Sequence, residues 1–285
     1  MDTNDYPLYP PPSYPAISDY RNSIKSMHTH ESASLYSDSS SEATTLASIG
    51  RDFQTTFRPG RSLHIDARGI GPFRMPIPIP VPDSRMEIPI FDRTNEDRLV
   101  YVSSRSKLHS GDAILLDALT GKELVATKYF FGPGKDPILH IPAGRTCEKN
   151  MSAVSDYKIQ LSSKWTSRTM SFAVPASYKA TESRYQWAYG SRRDLDTGRK
   201  ISLITLCQQS ENDTDPSGKI IAEFVRSTAT RSTGSSRATA GNGGLLVIGR
   251  DAREYVAEEV VVATCLVMLK RETDRRRVFQ MAVVV

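Results

Sequence analysis

Residues 260–269 read V-V-V-A-T-C-L-V-M-L, ten positions without a charge. At 3.6 residues per turn, ten successive positions go all round a helix and leave no polar face for water. The flanks predict a helix. Asp251-Ala-Arg-Glu254 fits a capping box, with Asp251 as the N-cap and Glu254 three residues on. Lys270, Arg271 and Arg275 to Arg277 follow the run and are expected at the C-terminal end, where the helix dipole favours positive charge. A bilayer span needs roughly 20 apolar residues. A run of ten is instead expected to be wrapped by its own protein, with Val260, Val261, Val262, Cys265, Leu266 and Leu269 as structural core.

What could wrap it stands upstream. Short apolar or alternating segments with turn signals between them occur at 98–103, 113–119, 123–131, 138–141, 157–162, 169–174, 185–189, 200–207, 220–225 and 245–248. The clearest hairpin runs from Ile114 to Tyr129 with Thr120-Gly121 at its turn, and Asp196-Thr-Gly198 marks a second. About ten strands and one apolar helix predict a closed antiparallel β-barrel around that helix. Residues 73–91 alternate proline with aliphatics and predict an extended, polyproline-like edge segment. Two polar inserts, 208–218 and 227–244, are expected to be mobile loops.

Residues 1–50 differ from the rest. They hold eleven Ser and five Tyr but no Phe or Trp, and so predict a disordered tail. Six acidic residues against Arg21 and Lys25 give it −4, so the chain's +5 leaves +9 on residues 51–285. A basic body suggests an anionic partner, phospholipid headgroups or nucleic acid, against the plainer reading of a well-mixed polar surface. Nucleic acid ranks lower, because no aromatic-basic interleaving marks a groove. The tail contains Pro11-Pro12-Ser13-Tyr14, a P-P-x-Y sequence. WW domains bind such segments as polyproline helices, using Pro11, Pro12 and Tyr14 here, and ligases of the HECT ubiquitin class carry them. Ser37-Asp-Ser-Ser-Ser-Glu42 suits acid-directed kinases but also reads as a solvated linker.

Within the strand region, Arg192, Arg193, Arg199 and Lys200 form the densest basic turn and the candidate headgroup site, although Asp194 and Asp196 offset part of the charge. Cys147, Cys207 and Cys265 lack metal-ligand spacing, and their odd number suits a reducing compartment. The acidic, proline-rich N-terminus does not read as a signal peptide, so an intracellular protein, cytoplasmic or peripheral at a membrane, is expected. His28 and His30 lie in the tail; His64, His109 and His140 are dispersed. No nucleotide, metal or hydrolase motif is present, and neither catalysis nor a cofactor has positive support.

The hairpin L-L-D-A-L-T-G-K-E-L at 115–124, the short strands after it, and V-A-T-C-L-V-M-L-K-R-E-T-D-R-R-R at 262–277 resemble the tubby C-terminal-like superfamily. That superfamily includes tubby proteins, plant LURP-one-related proteins and phospholipid scramblases, and the terminal helix looks like that of fungal members with unassigned roles. The resemblance spans roughly residues 51–285 and implies a twelve-stranded barrel threaded by the helix. Tubby proteins bind phosphatidylinositol bisphosphate through basic residues on the barrel. The chain lacks the cysteine cluster and the acidic run of scramblases. The expectation is therefore a non-enzymatic binding or adaptor protein, its barrel docking on anionic phospholipid or a protein partner while the tail recruits a WW-domain protein. The competing expectation, a scramblase-like or lipid-transfer protein, requires a membrane-inserting helix or room for an acyl chain inside the barrel.

Overall fold

In the computed structural model, residues 57–71, 87–95, 97–106, 110–132, 135–142, 156–163, 168–175, 183–193, 198, 200–209, 218–236 and 238–284 are described. They build twelve strands: β1 (Pro59–Ile65), β2 (Glu87–Asp92), β3 (Arg98–Ser104), β4 (Ala113–Asp117), β5 (Glu123–Lys128), β6 (Ile138–Ile141), β7 (Tyr157–Ser162), β8 (Met170–Val174), β9 (Ser183–Arg193), β10 (Lys200–Gln208), β11 (Ile220–Arg226) and β12 (Gly244–Gly249). Every strand pairs antiparallel with its sequence neighbours, and β1 pairs with β12, so the sheet closes into a barrel. Closure leaves no edge strand to template aggregation. The helix α1 (Glu258–Val284) follows β12 through a short 3-10 turn (Ala252–Glu254).

Alternation decides which side chains face inward. Leu63, Leu246, Phe224 and Ile204 are successive cross-strand partners, as are Leu206, Trp187 and Met170, and all belong to the buried core. A polar tie joins the barrel to the middle of the helix: the Trp187 indole N–H donates to Thr264 Oγ1 at 3.0 Å. Val260, Val261, Val262, Cys265, Leu266 and Leu269 are all buried, as the uncharged run requires. Burying each such aliphatic side chain contributes roughly 1.5–3 kcal/mol. The strand ring and the helix complete each other's core.

Three local expectations are corrected. First, Asp251-Ala-Arg-Glu254 does not cap α1. Asp251 precedes the 3-10 turn and makes no side-chain cap bond; its carbonyl accepts the Glu254 N–H at 3.0 Å instead. The helix starts at Glu258, with the Ala257 carbonyl accepting the Val260 and Val261 N–H groups. Second, Lys270, Arg271 and Arg275 to Arg277 lie in mid-helix, and the last turn holds no basic residue. The charged turn continues the helix because its buried charges find partners: Lys270 Nζ lies 2.6 Å from Asp274 Oδ1, and Arg226 pairs with Glu272.

Third, residues 87–91 are no edge segment. They form most of β2, between β1 and β3 in the closed sheet. Pro89 fits because its carbonyl accepts the N–H of Asp66, one residue beyond β1. In an antiparallel strand a residue's N–H points to the same side as its C=O, so the missing donor faces the place where β1 has ended. Residues 72–86 lie outside the described residues, as do 210–217 of the first insert. The second insert is a loop pinned by its own hydroxyls: Ser227 with Thr230, and Ser236 with Thr239. Ser232 and Asn242 within it are buried.

Candidate basic mouth of the barrel

Because each strand reverses direction, the ends of β1, β3, β5, β7, β9 and β11 and the starts of the even strands share one mouth of the barrel. The second half of α1 emerges there, and its N-terminus lies at the other mouth. Both mouths anchor the helix with buried charge, but they do so differently.

At the N-terminal mouth the helix supplies an acid. The buried Glu258 carboxylate accepts from Arg61, from the Tyr101 hydroxyl at 2.8 Å and from Arg253 at 3.4 Å. Arg61 reaches on to Asp92 at 2.8 Å. Burial alone would lower the Arg61 guanidinium, but Glu258 and Asp92 more than reverse this. The Tyr101 phenol is pushed up by burial and then by Glu258. Lys219 caps the same end, 2.9 Å from the Tyr255 hydroxyl and 3.7 Å from Asp251. The Tyr185 hydroxyl donates to the Tyr255 carbonyl at 2.5 Å.

At the other mouth cations dominate. Arg226, the last residue of β11, makes a two-pronged pair with Glu272 at 2.6 and 2.8 Å. Glu272 Oε2 also accepts the Gly241 N–H at 3.0 Å. Burial would raise the Glu272 carboxyl, but Arg226, Tyr189 and Gly241 outweigh it and hold it below the usual range. Gly241 is required by this contact: its φ is +70°, and a Cβ there would sit 2.1 Å from Thr273 Oγ1. Beside this pair, buried Asp274 accepts from the Tyr129 hydroxyl at 2.7 Å and from Lys270. The Arg271 guanidinium, pressed down by burial, reaches the Lys135 carbonyl at 3.5 Å.

A cavity of about 470 Å³ opens at this mouth between α1 and the 227–244 loop. Arg168, Arg226, Arg231, Arg275 and Arg276 line it; among the described residues Glu272 is the one carboxylate of the lining, and it is bound to Arg226. Arg226 Nε is buried and has no hydrogen-bond partner among the described residues. Ser202, Thr239 and Asn242 add neutral polar groups, and Phe279 adds an apolar wall. Such a site fits phosphate-sized, multiply charged anions, because guanidinium groups donate in geometries that match phosphate oxygens.

The sequence-predicted headgroup residues divide. Arg192 points to the outer face and pairs with Glu223 at 3.3 Å, both largely buried; burial raises the Glu223 carboxyl and Arg192 partly offsets it. Arg193 and Lys200 are exposed cross-strand partners. They stand two positions beyond the Ser191–Ser202 pair, on the strand face that Ser202 presents to the cavity. Their place is therefore the edge of the basic mouth. Arg199, Cys147 and the P-P-x-Y residues Pro11, Pro12 and Tyr14 lie outside the described residues.

The main arginines were missed because local charge density cannot find a cluster drawn from residue 168, β11, a loop and a helix. Strand direction could have found it, since alternate strand ends must meet at one mouth. A second, outer-face hollow of about 310 Å³ is lined by His64, Arg93, Thr94 and Thr230, and burial followed by Arg93 lowers the His64 imidazole. Among the described residues no three His, Cys, Asp or Glu side chains converge to hold a metal. No helix among them is long and apolar enough to cross a membrane.

Fold and mouth together define a helix-filled, closed twelve-stranded barrel with one arginine-rich end. No family model, curated protein or solved structure matches the chain.

Proposed function

We propose that the chain is a non-enzymatic binding and adaptor protein. Its basic mouth docks on anionic phospholipid, phosphoinositides included, and its P-P-x-Y tail recruits a WW-domain protein such as a HECT-class ubiquitin ligase. The observation that carries this reading is the cavity with five arginines against one carboxylate among the described residues. Clustered guanidinium groups at a barrel end attract polyanions at about 1 kcal/mol per basic residue near an anionic membrane. The resemblance of 115–124 and 262–277 to tubby-like barrels favours the same ligand class.

The filled barrel axis argues against the lipid-transfer alternative. Residues that would surround an acyl chain are packed on α1, which would have to leave. The tail's role rests on Pro11, Pro12 and Tyr14 in sequence.

Sedimentation of the full chain with phosphatidylcholine vesicles, with and without phosphatidylserine or phosphatidylinositol bisphosphate, tests the docking. Binding only to anionic vesicles, lost in Arg275→Glu/Arg276→Glu and kept in Lys122→Glu, an exposed change at the opposite mouth, is expected. Equal loss in both variants would instead indicate diffuse charge attraction. Retention by an immobilised WW domain, abolished in Tyr14→Ala, tests the tail.

A further inference from the structure

Five large hydrophobic side chains stand exposed among the described residues: Leu119, Phe130, Phe131, Phe279 and Met281. Of these, Leu119 alone is at the N-terminal mouth, in the β4–β5 turn. The other four collect at the basic mouth. Phe130 and Phe131 follow β5 directly after Tyr129, which is fixed to Asp274. Phe279 and Met281 lie on the last turns of α1, 66% and 60% exposed.

Their order along the helix axis gives them a use. At 1.5 Å per residue, Phe279 and Met281 sit roughly 8–10 Å beyond Asp274. Arg275 and Arg276 stand one turn nearer the barrel, on the cavity wall. The charge is therefore at one level and the apolar tips are further out, with Phe279 touching both as part of the cavity lining. A soluble polyanion would use the arginines and leave the tips in water. A bilayer uses both, because anionic headgroups lie outside acyl chains and interfacial anchors bury their apolar face about 5–10 Å deep.

We propose that the basic mouth meets a lipid bilayer end-on, with Phe279 and Met281 inserted among the acyl chains and Arg275 and Arg276 at the level of the phosphates. This rests on the anionic-membrane reading above and adds the orientation and the inserted residues.

The test uses the full chain, phosphatidylcholine vesicles containing phosphatidylserine, and inositol hexakisphosphate as a soluble polyanion. Phe279→Ser/Met281→Ser should lose at least about tenfold in vesicle affinity, since two side chains forfeit apolar burial. Met281→Ser alone, a change outside the cavity lining, should bind inositol hexakisphosphate and melt as wild type does. Phe279→Trp should show a fluorescence component, absent from wild type, that brominated acyl chains quench.

Wild-type vesicle affinity in the double Ser variant, together with an unquenched indole in Phe279→Trp, overturns the insertion; the headgroup reading stands if Arg275→Glu/Arg276→Glu still loses binding. Failure of the full chain to bind anionic vesicles overturns both.

Discussion

The two ends of α1 solve one problem with opposite surpluses. A helix threaded through a barrel must bring its polar termini past an apolar wall, and both ends do so by ion pairing. At the N-terminal end one buried carboxylate, Glu258, is surrounded by Arg61, Tyr101 and Arg253, and its charge is fully answered. At the other end Glu272 and Asp274 are answered by Arg226 and Lys270, and further arginines remain around an open cavity. The first end is a closure; the second is a closure whose cavity is lined by more arginines than carboxylates among the described residues. Stability needs the pairs at both ends, whereas the proposed binding draws on the arginines of the cavity, so substitutions should separate the two.

The apolar stretch between the ends sets the scale. Val262 is fully buried among the strands, and Val262→Asp places an unpaired charge there. We expect a loss of about 4 kcal/mol or more in urea unfolding. A variant melting within a few degrees of wild type would refute the buried-helix core and with it the contrast between the ends.

The anchors come next and should be unequal. Glu272→Ala strands Arg226, whose side chain is 8% exposed and keeps hydrogen bonds to the neutral Asn242 and Ser202. Glu258→Ala leaves Arg61 still paired with Asp92. Breaking a buried pair costs about 3–5 kcal/mol when the remaining charge is stranded. Glu272→Ala should therefore cost about 3 kcal/mol, and Glu258→Ala measurably less. The reverse order in chemical unfolding would mean that the N-terminal mouth is the main anchor.

Acid should reveal the same anchor. The Glu272 carboxyl is held below its ordinary value, so its contribution is complete above about pH 4.5 and is lost as pH falls through the depressed folded value. Between pH 5 and acid, wild-type stability should fall more steeply than that of Glu272→Gln, measured by thermal melting across that range. Parallel slopes would remove Glu272 as a titrating anchor.

A smaller effect isolates the loop that holds this anchor. Gly241→Ala meets Thr273 and Leu269 and forces a side chain into the left-handed region. About 1–3 kcal/mol is the usual cost of such strain. Gly234→Ala, at φ +76° in the same loop but with open space around it, should cost less. Equal losses would show that strain alone matters and the contact with α1 does not.

How much of this was legible depended on distance along the chain. Ten strands and the buried helix followed from alternation and from the uncharged run, both local patterns. The strands β1 and β2 lay hidden beside prolines, since Pro89 is harmless only where β1 has already ended. The capping box at Asp251 misplaced the helix start, because a 3-10 turn uses the same signal. Charge at 270–277 suggested a helix leaving its core. Lys270 and Asp274 are instead buried together four residues apart, and that pairing cannot be told from a solvated one in sequence. The densest run of basic letters within the strand region, 192–200, therefore drew attention to a hairpin, while the barrel brought Arg168, Arg226, Arg231 and Arg276 together from afar.

The smallest expected effect on stability is the sharpest test of the separation. Arg275 and Arg276 are partly exposed on the outer turn of α1, and the Arg276 guanidinium donates to the Ala238 carbonyl at 3.1 Å. Neither belongs to the buried pairs Arg226–Glu272 and Lys270–Asp274. Arg275→Glu/Arg276→Glu should therefore melt close to wild type, within about 1 kcal/mol, as surface changes usually do. The same protein should lose the proposed binding to anionic vesicles, because two cations that the proposal places at the headgroup level have become anions. Arg226→Glu should behave oppositely in kind, opposing Glu272 with a second buried carboxylate and unfolding before binding can be measured. If the outer pair destabilises as much as Arg226→Glu, the surplus charge is part of the closure, and the two ends of the helix are the same device after all.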